Sequence, residues 1–133
     1  MSTLKATNLQ HASSSVVNAT LNSDGTMVGM RPPINAQTGT TYTLVIGDDG
    51  KMVTCANASA ITLTVPPNAD VAFPTGAMVD VVQTGAGQVT IAAGSGVTIR
   101  SQGAALKLSA QYAAAQLRKI GSDEWLLVGS ITS

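Results

Sequence analysis

The sequence predicts an all-β protein: a small antiparallel β-sandwich, jelly-roll-like or barrel domain preceded by an extended N-terminal arm. Three observations carry this. From Thr40 to Ile131, short segments alternate apolar and polar side chains, the period of a half-buried strand. Glycine, asparagine, aspartate or proline breaks separate them. The clearest segment, Ala60-Ile61-Thr62-Leu63-Thr64-Val65, places Ile61, Leu63 and Val65 on one face and Thr62 and Thr64 on the other. Pro66 and Pro67 end it, because proline has no N–H to give to a ladder. The division expected is an arm and linker over residues 1–35 and a β-domain over residues 36–133.

In chain order, Thr7 to Ser15 is polar, uncharged and too poor in apolar residues to fold alone, which makes it an arm. Val16, Val17 and Leu21 can add a short strand, and Asn22-Ser23-Asp24-Gly25-Thr26 has the composition of a turn. Arg31-Pro32-Pro33 stiffens the chain into a linker. Tyr42-Thr43-Leu44-Val45-Ile46 then reads as a strand with Tyr42, Leu44 and Ile46 inward. The break at Gly47-Asp48-Asp49-Gly50 turns it into a hairpin with Lys51 to Cys55. Phe73 plugs one end of the core, and Met78 to Val82 is a strand with Val79 and Val81 inward.

Three short strands follow, around Val89, Ile99 and Leu108, with Gly85-Ala86-Gly87 and Gly94-Ser95-Gly96 between them as tight turns. No Gly-Lys-Ser or Gly-Lys-Thr accompanies these glycines, so they do not form a phosphate loop. Their spacing resembles a fibrous β-repeat, but two units are too few for a solenoid. Ala110 to Lys119 has the highest helix propensity in the chain. Its strand neighbours, and the Gly121-Ser122-Asp123 break before Glu124 to Val128, favour a strand over Ala113 to Ile120 and a closing hairpin; a short helix is the alternative.

Composition narrows the function. A chain of 133 residues is large enough for a core without metal or disulfide staples. Only 11% of it is charged, with seven basic and seven acidic residues, against about 25% in a typical domain. Such a surface repels neighbours weakly and suits a protein packed against others. Neutrality argues against a nucleic-acid partner, since Arg118-Lys119 is the densest basic cluster. No apolar run approaches the ~20 residues of a membrane span, and Met1 to Lys5 lacks the pattern of a secretory signal. The sequons at Asn18 and Asn57 are therefore expected to be accidental, and the lone Cys55 to be a small core hydrophobe.

Catalytic chemistry has little to work with. The one histidine, His11, lies in the polar arm with no Cys, Asp or Glu nearby in sequence. Asp48, Asp49, Asp123 and Glu124 sit at expected turns, where carboxylates serve the backbone. Tyr42, Phe73, Tyr112 and Trp125 are few for a sugar or base platform, and Trp125 above all is expected in the core. No enzyme activity, cofactor or metal is expected.

Two stretches resemble bacteriophage virion proteins of cyanophage type. Thr3-Leu4-Lys5-Ala6-Thr7-Asn8-Leu9-Gln10-His11-Ala12-Ser13-Ser14, with Val16-Val17-Asn18 and Asp24-Gly25, resembles a leader of phage tail-fibre and other virion proteins. The chain from Asn35-Ala36-Gln37-Thr38-Gly39-Thr40-Thr41-Tyr42, through Ile61 to Pro67, to Glu124-Trp125-Leu126-Leu127-Val128-Gly129 resembles a small β-domain of phage structural proteins. The resemblance implies a virion component shared between capsid decoration proteins and fibres; a fibre would normally carry a shaft and a receptor tip, and the small size of this chain points to a capsid decoration (cement) protein. It would sit as a homotrimer on the outer capsid surface, with the major capsid protein as partner. Leu4, Leu9, His11, Val16 and Val17 would be the arm's capsid contacts. The alternative is a tail-fibre or receptor-binding module of the tail.

Overall fold

Because period-2 alternation leaves each strand with one apolar face, the strands must find a second layer to bury it. The computed structural model describes residues 33–133, with three short strands before them: β1 (Asn8–Gln10), β2 (Val17–Leu21) and β3 (Met27–Val28). The chain divides into two units, Met1–Pro32 and Pro33–Ser133. In the first, β1, β2 and β3 pair in that order as an antiparallel sheet. Where one extended arm was expected, these strands bond to each other.

The second unit is all-β and two-layered, as the alternation predicts. Its strands are β4 (Ile34–Gln37), β5 (Thr41–Thr43), β6 (Met52–Cys55), β7 (Ile61–Val65), β8 (Met78–Gln83) and β9 (Val89–Ala93). These are followed by β10 (Thr98–Ser101), β11 (Lys107–Leu108), β12 (Ala114–Gly121), β13 (Glu124–Gly129) and β14 (Ile131–Thr132). A six-stranded sheet runs β10-β13-β12-β8-β6-β4, and a five-stranded sheet runs β14-β11-β9-β7-β5. Strand β4 thus belongs to the folded domain, where the sequence reading began the domain after Asn35.

Pairing direction departs from the antiparallel expectation. From β4 to β9 the chain alternates sheets at every strand: β4, β6 and β8 run parallel in one, and β5, β7 and β9 run parallel in the other. The result is a flattened coil of three turns, β4-β5, β6-β7 and β8-β9, distinct from the nine-residue glycine spacing that the sequence shows at Gly85 to Gly96. The expected hairpin across Gly47 to Gly50 is absent, since β5 and β6 lie in different sheets. Its turn is a crossover instead. Ile46–Asp48 forms a 3-10 turn, Asp48 is buried, and the Gly50 N–H donates to Met78 O in the six-stranded sheet at 2.7 Å. Ile46, expected inward, is exposed on that turn.

Stacked turns require stacked corners. The Gly85-Ala86-Gly87 corner lies directly on the corner at Asn57 to Ser59: a Cβ on Gly85 would come 2.5 Å from Asn57 N, and one on Gly87 would overlap Ser59 O. Glycine is required there for close approach. The corner below is tied in turn by Asn57 Nδ2, which donates to Thr38 O at 2.8 Å.

The C-terminal strands close the stack with antiparallel pairs. The β12–β13 hairpin forms as expected and lies between β8 and β10. Ala114–Gly121 is a strand, so its burial pattern overrides its helix propensity: Ala115, Leu117 and Lys119 point inward while Ala114, Arg118 and Ile120 are exposed. Both sheets contribute to one core, including Leu44, Val53, Cys55, Ile61, Leu63, Val79, Ile91 and Leu127. Phe73 is part of that core, packing edge-on against Trp125 with centroids 5.3 Å apart. Trp125→Ala is expected to destabilise the domain by about 3–5 kcal/mol, read as a fall in the urea midpoint followed by circular dichroism.

A polar end cap and a low-charge sheet face

Two regions of the described residues stand apart from an ordinary β surface. The first is the interior of the opening turn of the coil. Asn35 lies beside Val53 in register, Gln37 beside Cys55, and Tyr42 beside Leu63, so polar side chains fill the positions that hydrophobes fill one turn later. They converge on Asp48. Asn35 Nδ2 donates to Asp48 Oδ1 at 2.8 Å, and the Tyr42 hydroxyl and the Val45 N–H donate to Oδ2 at 2.6 and 2.9 Å. Gln37 Nε2 donates to Asn35 Oδ1 at 2.8 Å and locks the amide.

Burial and the neighbouring Asp48 carboxylate push the Tyr42 phenol up to about 12. Both Asp48 oxygens are engaged and the side chain is fully buried, so no face of the carboxylate is open to a reactant. The cluster is an end cap for the first turn, as terminal repeats of stacked proteins require.

The second region is the outward face of the six-stranded sheet. Met52 from β6, Asp80 and Val82 from β8, Ala114 and Gln116 from β12, and Val128 from β13 line a shallow groove of about 410 Å3. Cross-strand register puts Met52, Asp80, Gln116 and Val128 in one row. Ile34, 66% exposed, lies beside Met52 at the end of that row, where Val128, 45% exposed, closes the other end. Asp80 accepts from Gln116 Nε2 at 3.1 Å, and at the far edge Arg100 pairs with Glu124 at 2.7 Å. The opposite layer presents hydroxyls instead: Thr41, Thr62 and Thr90 form one registered row, and Thr43 and Thr64 start the next.

Of the arm residues singled out from the sequence, Leu9 lies on β1 and Val17 on β2. Leu4, His11 and Val16 lie outside the described residues. Of the turn carboxylates, Asp48, Asp49 and Asp123 serve the backbone, with Asp49 accepting from Met78 N at 3.1 Å and Asp123 from Asn68 N at 2.7 Å, whereas Glu124 pairs with Arg100. Asp48, Gln83 and Lys119 are buried polar residues that sequence reading missed. The signal for Gln83 and Lys119 was their place on the inward period of β8 and β12. Among the described residues, no group of three or more His, Cys, Asp or Glu could hold a metal ion, and no helix is long and apolar enough to cross a membrane. Comparison with protein-family models, curated proteins and solved structures finds no match in any of the three.

Burial also pushes the Cys55 thiol up to about 11. Tyr42 and Cys55 both hold their protons more tightly folded than their ordinary values of 10.0 and 9.0 allow. Above those values the unfolded chain loses protons that the native state keeps, so stability declines as pH rises. The urea midpoint is therefore expected to be unaffected by these groups below pH 9 and to fall through pH 9 to 12. Tyr42→Phe should flatten the upper part of that fall.

Proposed function

We propose that this chain is a non-enzymatic structural protein of a bacteriophage virion. In this reading it is a decoration (cement) protein that binds the outer capsid surface as a homotrimer and stabilises contacts between major capsid proteins. The observation that carries the reading is the outward face of the six-stranded sheet, where Ile34, Met52, Val82 and Val128 lie around a groove whose one charged lining residue, Asp80, accepts from Gln116, with Arg100 and Glu124 paired at the far edge. Burying that face in a closed symmetric assembly removes apolar surface from water while Asp80 keeps its hydrogen bond from Gln116. The Asp48 cluster supports the same reading from the other side, because its hydrogen bonds are spent on the fold.

Labour divides between the two units. The β-domain associates with its copies, and the unit Met1–Pro32 engages the capsid. Three tethers per trimer engage together, so weak single contacts add up.

Light scattering of the isolated protein is expected to give a trimer mass, and Val128→Asp, which places a charge on the face, should give a monomer that keeps the native circular dichroism spectrum. Deleting residues 2–30 should leave folding and self-association intact and abolish co-sedimentation with capsids. Truncated protein that still binds capsids like the full chain would remove the tether. Electron microscopy showing a few copies at the tail, in place of many across the shell, would favour a receptor-binding module.

A further inference from the structure

Lys119 is the one basic side chain that the described fold takes inside, at 3% exposure. It pairs across the hairpin with Trp125, whose ring packs against Phe73. Its Nζ donates to Asn68 Oδ1 at 2.7 Å and to Phe73 O at 2.7 Å. Among the described residues the only ion pair is Arg100–Glu124, so the amine has no ion-pair partner. The Asn68 amide is held in turn: its backbone N–H donates to Asp123 Oδ1 at 2.7 Å, from the turn of the same hairpin. A primary amine on a buried side chain and a partly buried primary carboxamide are thus held in contact, with Asp123 fixing the Asn68 backbone.

We propose that Lys119 and Asn68 form an intramolecular isopeptide bond. Nζ, 2.7 Å from Oδ1, lies beside Cγ, the atom that carries that oxygen. Once a proton has passed from Nζ to the buffer, the amine adds to Cγ, the Cγ–Nδ2 bond breaks, and a Nζ–Cγ amide replaces it. Nδ2 leaves as ammonia with the proton that Nζ gives up. No redox partner or external reagent is needed. Held in contact, the two groups react as one molecule, which is the source of the rate. Asp123 is a positioning residue, because it acts through the Asn68 backbone. The product would clamp the loop after β7 to β12, across 51 residues of chain. This inference stands independently of the virion reading.

The test is the intact mass of the full-length protein, purified and held in mildly alkaline buffer. The expected value lies below the sequence mass by one ammonia. Trypsin should then yield residues 52–100 joined to residues 119–133, since an acylated Lys119 is not cleaved. Lys119→Arg and Asn68→Ala should each restore the full mass. Asp123→Asn, which keeps an acceptor for Asn68 N–H, should retain the link, and Asp123→Ala should lose most of it. Wild-type protein at its full sequence mass overturns the proposal. So does an ammonia deficit that leaves Lys119 cleavable and disappears with hydroxylamine, because that is a succinimide at Asn68.

Discussion

The structure depends on one constraint: from β4 to β9, each strand must deliver its inward side chains to the same core from the sheet opposite its predecessor. Residues one turn apart are therefore stacked neighbours, at the ~4.8 Å spacing of paired strands. Val53 sits beside Val81, and Leu63 beside Ile91. Such stacking holds only if the corners stack as well, and the corner backbones are in direct contact at Gly85 and Gly87. The low aromatic content fits this geometry, since thin layers of Val, Ile and Leu fill the space between two sheets.

A parallel stack has two ends, and the chain treats them differently. Among the described residues, both strands at the β4–β5 end have an unpaired edge, and the interior turns polar around Asp48. Exposed Ile34, Val45 and Ile46 lie at this end too. At the other end the chain abandons the coil. The β12–β13 hairpin extends one sheet, β11 and β14 extend the other, and β10 covers the hairpin's outer strand in parallel. Short, unequal edge strands limit further addition.

Strand positions were legible because burial and alternation coincide: Ile61, Leu63 and Val65 are buried as their spacing requires, and so are Val79 and Val81. Pairing direction was not, because parallel and antiparallel strands share the same period of two. The turn at Gly47 to Gly50 has hairpin composition, yet Asp48 is drawn into the core by Tyr42 and Asn35, partners set by register. The coil escaped notice for a related reason. Its corners have unequal lengths, as Met52 lies beside both Ile34 and Asp80, so no fixed repeat marks it. The buried amine of Lys119 follows the inward period of β12, but its partners arrive from a loop some fifty residues earlier, a contact that local spacing does not encode.

The place of β10 has a consequence for how the chain matures. Its one sheet neighbour is β13, which is made later, and β13 reaches the coil only through β12. During synthesis the turns β4 to β9 can stack as they emerge, while Thr98–Ser101 waits without a partner until Glu124–Gly129 has left the ribosome. Completion of the larger sheet is thus a late event dominated by distant contacts, the kind that slows folding. A nascent chain stopped before Glu124 would carry a waiting strand and an uncovered sheet edge at β12. Those are the conditions under which incomplete β-proteins capture one another.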